Sequence, residues 1–291
     1  MRSENLSGIL WMLLATAVLS MMDAVMKQLA AHYSALQVAS LRGLVSLPFV
    51  IAWVWTRERS FATLVRVRWG WHLIRGVLAI CMLGSFVYAI SGMPLSEAYT
   101  LFFIAPLLIT ALSVPLLKEK VDGRRWLAIL GGFCGVLIVL RPGFNSIGLT
   151  ALAVLLGATS YALNAISVRH LGKTDSTAAM SFWFMFLLAI GAGLLALPNW
   201  QPLRWADAGW LAALGITGAI GQLCLTEAFR RAPVSVVAPF EYSALFWGVL
   251  LDLLLWGDVP GPIVWLGAAV IVGSGLYLLQ RERVVQPVTP P

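Results

Sequence analysis

Tyr88-Ala89-Ile90-Ser91-Gly92-Met93-Pro94 is echoed 139 residues later by Glu227-Ala228-Phe229-Arg230-Arg231-Ala232-Pro233. The same shift carries Glu119 to Asp258 and Trp126 to Trp265, so the second half of the chain repeats the first. Around the matched prolines one apolar segment follows another. With 60% hydrophobic and 11% charged residues and a mean hydropathy of +0.86, the chain lies among polytopic membrane proteins rather than soluble domains.

A bilayer span needs about 20 apolar residues. Ten segments qualify, at 6–28, 34–56, 71–91, 95–117, 124–140, 147–169, 177–197, 207–229, 234–256 and 262–280. The first is longer than the apolar core of a signal peptide, carries Asp23 and Lys27 near its end and lacks a small-residue cleavage site, so it is expected to stay. Five spans per half is an odd number, which places the two copies in opposite orientations, the construction from which many secondary transporters derive alternating access. The expected fold is an all-α membrane protein of ten transmembrane helices in two inverted five-helix repeats, 6–140 and 147–280, followed by a proline-rich tail at 281–291.

The net charge of +7 does not point to nucleic acid, because the basic residues are distributed by loop. With a cytoplasmic N-terminus, fifteen of them fall in inside segments and three (Lys27, Arg141, Arg204) outside, while Arg42 and Arg75 lie within spans. That imbalance predicts that both termini are cytoplasmic. Cys81, Cys134 and Cys224 fall on different apolar spans and imply no disulfide framework. His32, His72 and His170 stand apart from any ligand cluster, so no metal and no cofactor is expected. Gly172-Lys173-Thr174 looks like the end of a phosphate-binding loop, but Ser167 stands where the loop needs glycine. Gly131 and Gly135 in span five, with Gly267, Ala268, Gly273 and Gly275 in span ten, suit close helix packing, within the monomer or across a homodimer.

Ionisable side chains at bilayer depth cost about 2.5–3.5 kcal/mol even on the lenient insertion scale, so each needs a reason. Thr16, Ser20, Asp23 and Lys27 share one face of span one, and Ser160, Asn164 and Ser167 repeat that stripe in span six, with Asp23 aligned on Asn164. Asp23 and Lys27 at i, i+4 either line the interior or neutralise each other. Arg42, two turns into span two, suits a carboxylate such as Asp23, an anionic substrate group or a buried ion pair. Glu241, two residues after Pro239, has Phe102 as its counterpart and is the candidate for proton coupling or for holding a cation; the plainer alternative is a protonated, hydrogen-bonded acid. Tyr88, Tyr99 and Gln222 complete the candidate substrate-binding set with neutral hydrogen bonds. Trp183 and Trp247 lie deep enough to line a cavity or simply to pack. Glu97, Glu227 and Asp252 lie near span ends, where they suit interfaces or helix caps.

From Pro94-Leu95-Ser96-Glu97-Ala98 through Pro106 to Lys118-Glu119-Lys120 and Trp126, the chain resembles the EamA family of the drug/metabolite transporter superfamily, over about residues 6–280. The resemblance implies ten helices in inverted repeats, the bacterial inner membrane, and secondary transport of small organic metabolites without a cofactor. The second half departs from the pattern, since Arg231-Ala232-Pro233-Val234-Ser235-Val236-Val237 has no acid where Glu97 stands. Asp23-Ala24-Val25-Met26-Lys27 and Arg42 are similar to members that take up S-adenosylmethionine; riboflavin and amino-acid exporter members share the architecture. The expected function is a non-enzymatic, multi-pass carrier. An intramembrane lipid-modifying enzyme would need clustered acids or histidines at a headgroup interface, and a scaffold protein would leave the polar stripes without a use.

Overall fold

A computed structural model describes residues 2–58, 62–65, 67–117, 123–140, 148–171, 174–231 and 238–285. Every regular element among them is helical: α1 (Arg2–Leu29), α2 (Ala35–Glu58), the single turn α3 (Ala62–Val65), α4 (Trp69–Gly92), α5 (Leu95–Phe102), α6 (Ala105–Leu117), α7 (Gly123–Leu140), α8 (Leu149–Leu171), α9 (Thr177–Ala196), α10 (Ala208–Arg231), α11 (Ser243–Leu255) and α12 (Pro262–Val285). Short 3-10 turns occupy Leu197–Asn199, Trp205–Asp207 and Ala238–Tyr242. Apolar segments in lipid must satisfy their own backbone groups, and the helix does so within one segment.

Seven helical segments among the described residues are long and apolar enough to cross a membrane: Leu6–Leu29, Ala35–Thr56, Trp69–Gly92, Leu95–Leu116, Leu149–Val168, Ala179–Asn199 and Trp205–Leu225. Spans five and ten appear as the shorter apolar stretches Trp126–Val139 and Pro262–Tyr277. The hairpin at Pro233, the Lys118-Glu119-Lys120 motif and the end of the tail, 286–291, lie outside the described residues.

Spans four and nine are not continuous helices, which the sequence reading did not anticipate for span four. Span four breaks at Phe103–Ile104, between α5 and α6. Pro106 has no N–H to give the Phe102 carbonyl, so the ladder stops there and the Phe103 N–H closes the last turn on Tyr99 O at 2.9 Å. In span nine the 3-10 turn Ala238–Tyr242, containing Pro239, gives way to α11 at Ser243. Under the 139-residue shift, Phe103 and Ile104 fall on Tyr242 and Ser243, so both repeats break at the same place through prolines at different positions.

The two halves are interleaved. α1 lies along α10, α4 along α8, α2 on α9, α7 on α12 and α5 on α11. Counted as spans, each contact joins one repeat to the other, and exchanging span n with n+5 returns the same set. Span five meets span ten through glycine: a Cβ on Gly135 would stand 3.1 Å from Gly267 O, and one on Gly267 would stand 3.0 Å from Gly135 O. Gly135 and Gly267 are therefore used against each other within the chain.

Polar contacts tie helix ends at both faces of the bundle. At one, the Tyr33 hydroxyl donates to Asp207 Oδ2 (2.7 Å) and accepts the Arg204 N–H (3.0 Å), while the Gln37 side chain exchanges two hydrogen bonds with the Gln201 backbone (2.7 and 3.0 Å). At the other, buried His72 stands 2.8 Å from Asp175 Oδ2, which also accepts the Arg68 N–H at 3.2 Å. Burial alone pushes the Asp175 carboxyl up, but hydrogen bonds from Thr174, His72 and the Arg68 N–H outweigh it and hold the group below the usual aspartate value. Trp183, a candidate for cavity lining, instead donates to Leu64 O at 2.8 Å and packs edge-on against Trp69 at this same end.

Candidate translocation site

The stripe on α1 faces the two broken spans. Thr16 is 2.8 Å from the Ser243 hydroxyl, at the break of span nine. Two turns on, half-buried Asp23 accepts a 2.6 Å hydrogen bond from the Tyr99 hydroxyl on α5. Between them the Ser20 hydroxyl is buried and faces Tyr99 without meeting hydrogen-bond geometry. Lys27 does not pair with Asp23 despite the i, i+4 spacing; its ammonium stands 3.6 Å from Asp252 Oδ1. Four successive interior positions of one helix thus face two elements of the broken spans, α5 and α11.

Arg42 is 5% exposed and lies within electrostatic reach of Asp23, yet its Nε has no hydrogen-bond partner. The Ser46 hydroxyl, one turn along α2, is buried and likewise unpaired; it sits 2.8 Å from where a Gly218 Cβ would stand. A buried guanidinium nitrogen without an acceptor loses hydration that nothing returns, a cost of a few kcal/mol that an anionic ligand would offset.

Six aromatic rings connect the broken spans. Tyr242 meets Phe103 edge-on at 5.0 Å, Phe103 stacks on Tyr99 at 6.4 Å, Tyr99 on Phe86 at 6.2 Å, Phe86 meets Phe102 at 5.5 Å, and Phe102 meets Tyr161 at 5.5 Å. Glu241, half-buried in the 3-10 turn, lies within electrostatic reach of Tyr161, whose ring its counterpart Phe102 meets. The Tyr242 hydroxyl has no partner and sits where a Cβ on Gly275 would overlap it.

The sequence pattern of the EamA-like transporter family matches the chain twice, over residues 6–141 and 148–280. The chain belongs to the EamA-like transporter family. A riboflavin transporter of Vibrio cholerae is 30% identical over 97% of this chain and 95% of its own length. An S-adenosylmethionine uptake transporter of Rickettsia prowazekii is 25% identical, covering 96% of this chain and 94% of its own. A solved crystal structure with 19% identity shares the fold, with a TM-score of 0.66 over 98% of this chain and 99% of that one. The protein is a multi-pass membrane protein whose relatives are named as transporters of small molecules.

Within this EamA-like chain, Asp23, Arg42 and Tyr99 come together and Glu241 stands at the end of the same aromatic belt. Asn164 does not join them: its Oδ1 accepts Arg75 Nε at 3.1 Å, and Arg75 also reaches Met180 O at 3.4 Å and the Phe184 ring. Tyr88 does not join them either. It is 45% exposed and shares the outward stripe of Leu73, Val77 and Cys81 on α4, so it faces away from the cluster. Gln222 is half-buried on α10 and already engaged. Sequence reasoning missed Phe86, Phe102, Phe103, Tyr161 and Tyr242, although Phe102 and Phe103 adjoin the break before Pro106 and Tyr242 follows Glu241.

Proposed function

We propose that this protein is a secondary active transporter that moves a small organic metabolite across the bacterial inner membrane by alternating access, with S-adenosylmethionine or a related amino-acid-like or nucleoside-like compound as cargo. The architecture we assign is ten transmembrane helices in two inverted repeats, 6–140 and 147–280, with both termini and the tail 281–291 cytoplasmic. Loop charge supports that orientation. So does the fact that the polar contacts join helix ends that alternation assigns to one side, Tyr33 with Asp207 and His72 with Asp175.

The observation that carries the reading is the unpartnered Arg42 Nε within reach of Asp23, beside a belt of aromatic rings at the two helix breaks. A zwitterion with a flat ring fits this chemistry. Its carboxylate engages Arg42, its cationic centre Asp23 or Glu241, and its ring the face of Tyr99, Phe103 or Tyr161. S-adenosylmethionine carries all three groups. Riboflavin is the second reading, favoured by the belt and by the Vibrio cholerae relative, but it offers no cation to Asp23.

Counterflow in proteoliposomes tests both. Saturable exchange of S-adenosylmethionine, weakened by Arg42→Ala and with its pH dependence removed by Glu241→Gln, is the expected result. Exchange of riboflavin alone would move the assignment to that compound. No saturable counterflow with either, or with a pooled metabolite extract, would sink the carrier reading.

A further inference from the structure

Three helices converge on Asp252, at a point beyond the cluster just described. Asp252 is 0% exposed on α11 and accepts the Leu95 and Ser96 N–H groups at 3.0 and 2.8 Å and the Ser96 hydroxyl at 2.7 Å. It thereby caps α5 from the opposite repeat. Lys27 on α1 completes the set at 3.6 Å, with its ammonium 4.3 Å from the centroid of the Trp256 ring. One turn deeper on the same three helices, Tyr99 bonds Asp23 and its ring fills the space beside Gly248, where a Cβ would come within 2.7 Å. Helices α1, α5 and α11 are therefore joined by two rungs, Lys27–Asp252–Ser96 at the end and Asp23–Tyr99–Gly248 inside. The two rung members of α5, Ser96 and Tyr99, lie three residues apart on an eight-residue helix, so displacement at one is felt at the other.

Among the described residues the opposite end carries no copy of this charge pair. The shifts that relate the repeats, 139 and 141 residues, carry Asp252 to Ser113 and Lys27 to Val168, so neither charge is repeated. Packing breaks the symmetry as well: α1 packs on α4, whereas among the described residues their counterparts α8 and α10 make no comparable contact.

We propose that Lys27, Asp252 and Ser96 form the gate at one side of the transport pathway, shut in this structure, and that the empty carrier rests with this end closed and the other open. By loop charge the latched side is the outer one. The gate rests on the carrier reading above, and it couples to the site through α5. A substrate that takes over Asp23 removes the acceptor of the Tyr99 hydroxyl, loosening α5 and with it the Ser96 contact to Asp252. Asp252, Ser96 and Lys27 are positioning residues in this scheme and do not touch the cargo.

The test is sidedness of labelling in the absence of any substrate. Glu241→Cys serves as the reporter in a background with Cys81, Cys134 and Cys224 replaced by serine, in right-side-out and inside-out vesicles treated with a membrane-impermeant maleimide. The protein with an intact latch is expected to label from the cytoplasmic side. Asp252→Asn should raise labelling from the outer side by about tenfold or more, Lys27→Gln should act in the same direction but less, and Asp252→Glu should keep the original preference. Outer-side labelling with the latch intact would overturn the proposal. Unchanged sidedness in Asp252→Asn and Lys27→Gln, with folding verified by thermal melting, would overturn it equally and reduce Asp252 to a helix cap. Because labelling needs no cargo, a failed counterflow assay sinks the carrier reading alone, and unchanged sidedness in a protein that performs counterflow sinks the gate alone.

Discussion

Asp23 and Asn164 occupy the same place in the two repeats and lead opposite lives. Asp23 is half-buried, bonded to one tyrosine and within reach of an arginine that still lacks an acceptor. Asn164 is 6% exposed and held by Arg75, which is itself anchored on Met180 O and Phe184. The main helix pairings between the repeats obey the exchange, while the polar chemistry does not. Duplication therefore accounts for the scaffold, and divergence at equivalent positions accounts for the site.

The most direct way to break this comparison is to exchange the two side chains. Asp23→Asn keeps an acceptor for Tyr99 but removes the charge, and a charge-assisted contact is worth about 1.5–3 kcal/mol, so kcat/KM for transport should fall by about ten- to a hundredfold. Adding Asn164→Asp should not restore it, because the new carboxylate meets Arg75 rather than the Arg42 side of the bundle. Recovery of counterflow in the double variant would show that the two positions share one cavity, as the repeat alone suggests.

Asn164→Ala sharpens the contrast from the other side. It leaves the buried Arg75 Nε without its acceptor, and stability should drop by about 1.5–3 kcal/mol while KM stays put. A raised KM with an unaltered melting temperature would return Asn164 to the site.

Asp175 gives a smaller, pH-dependent effect at the staple it forms with His72. A carboxyl whose folded-state pKa is depressed adds stability above its unfolded value, near 3.9, and loses it as pH falls through the lower folded value. Thermal stability in detergent should therefore decline as the pH is taken below about 4, and Asp175→Asn should start about 1–3 kcal/mol lower and show a flatter acid limb. Parallel curves for the two proteins would remove Asp175 from that limb.

The apolar runs made the spans legible, because their length and hydrophobicity answer to a single physical demand. The break in span four was not, since Pro106 reads in sequence as a motif residue and nothing local separates a proline that stops a helix from one tolerated in its first turn. Asp252 was legible as a helix cap but not as the cap of α5, 156 residues away from Ser96. The spacing of Asp23 and Lys27 left a mutual pair open as one of two readings, and each instead found a partner across a helix interface, Tyr99 and Asp252. The aromatic belt escaped notice because a ring that lines a pathway and one that merely packs have the same sequence signature.

The smallest expected effect concerns the two tyrosines, which the sequence placed together and the structure separates. Tyr99 is 5% exposed with its hydroxyl on Asp23, whereas Tyr88 is 45% exposed on the outward stripe of α4. Tyr99→Phe removes the donor to Asp23 and, on the proposed reading of the site, should alter KM. Tyr88→Leu exchanges one lipid-compatible surface for another, so counterflow and melting temperature should stay within about 0.5 kcal/mol of the parent, the usual range for a surface substitution. A transport defect in Tyr88→Leu matching that of Tyr99→Phe would mean that the outward stripe of α4 faces the pathway in another state of the cycle, and the division of α4 into an inner and an outer face would have to be redrawn.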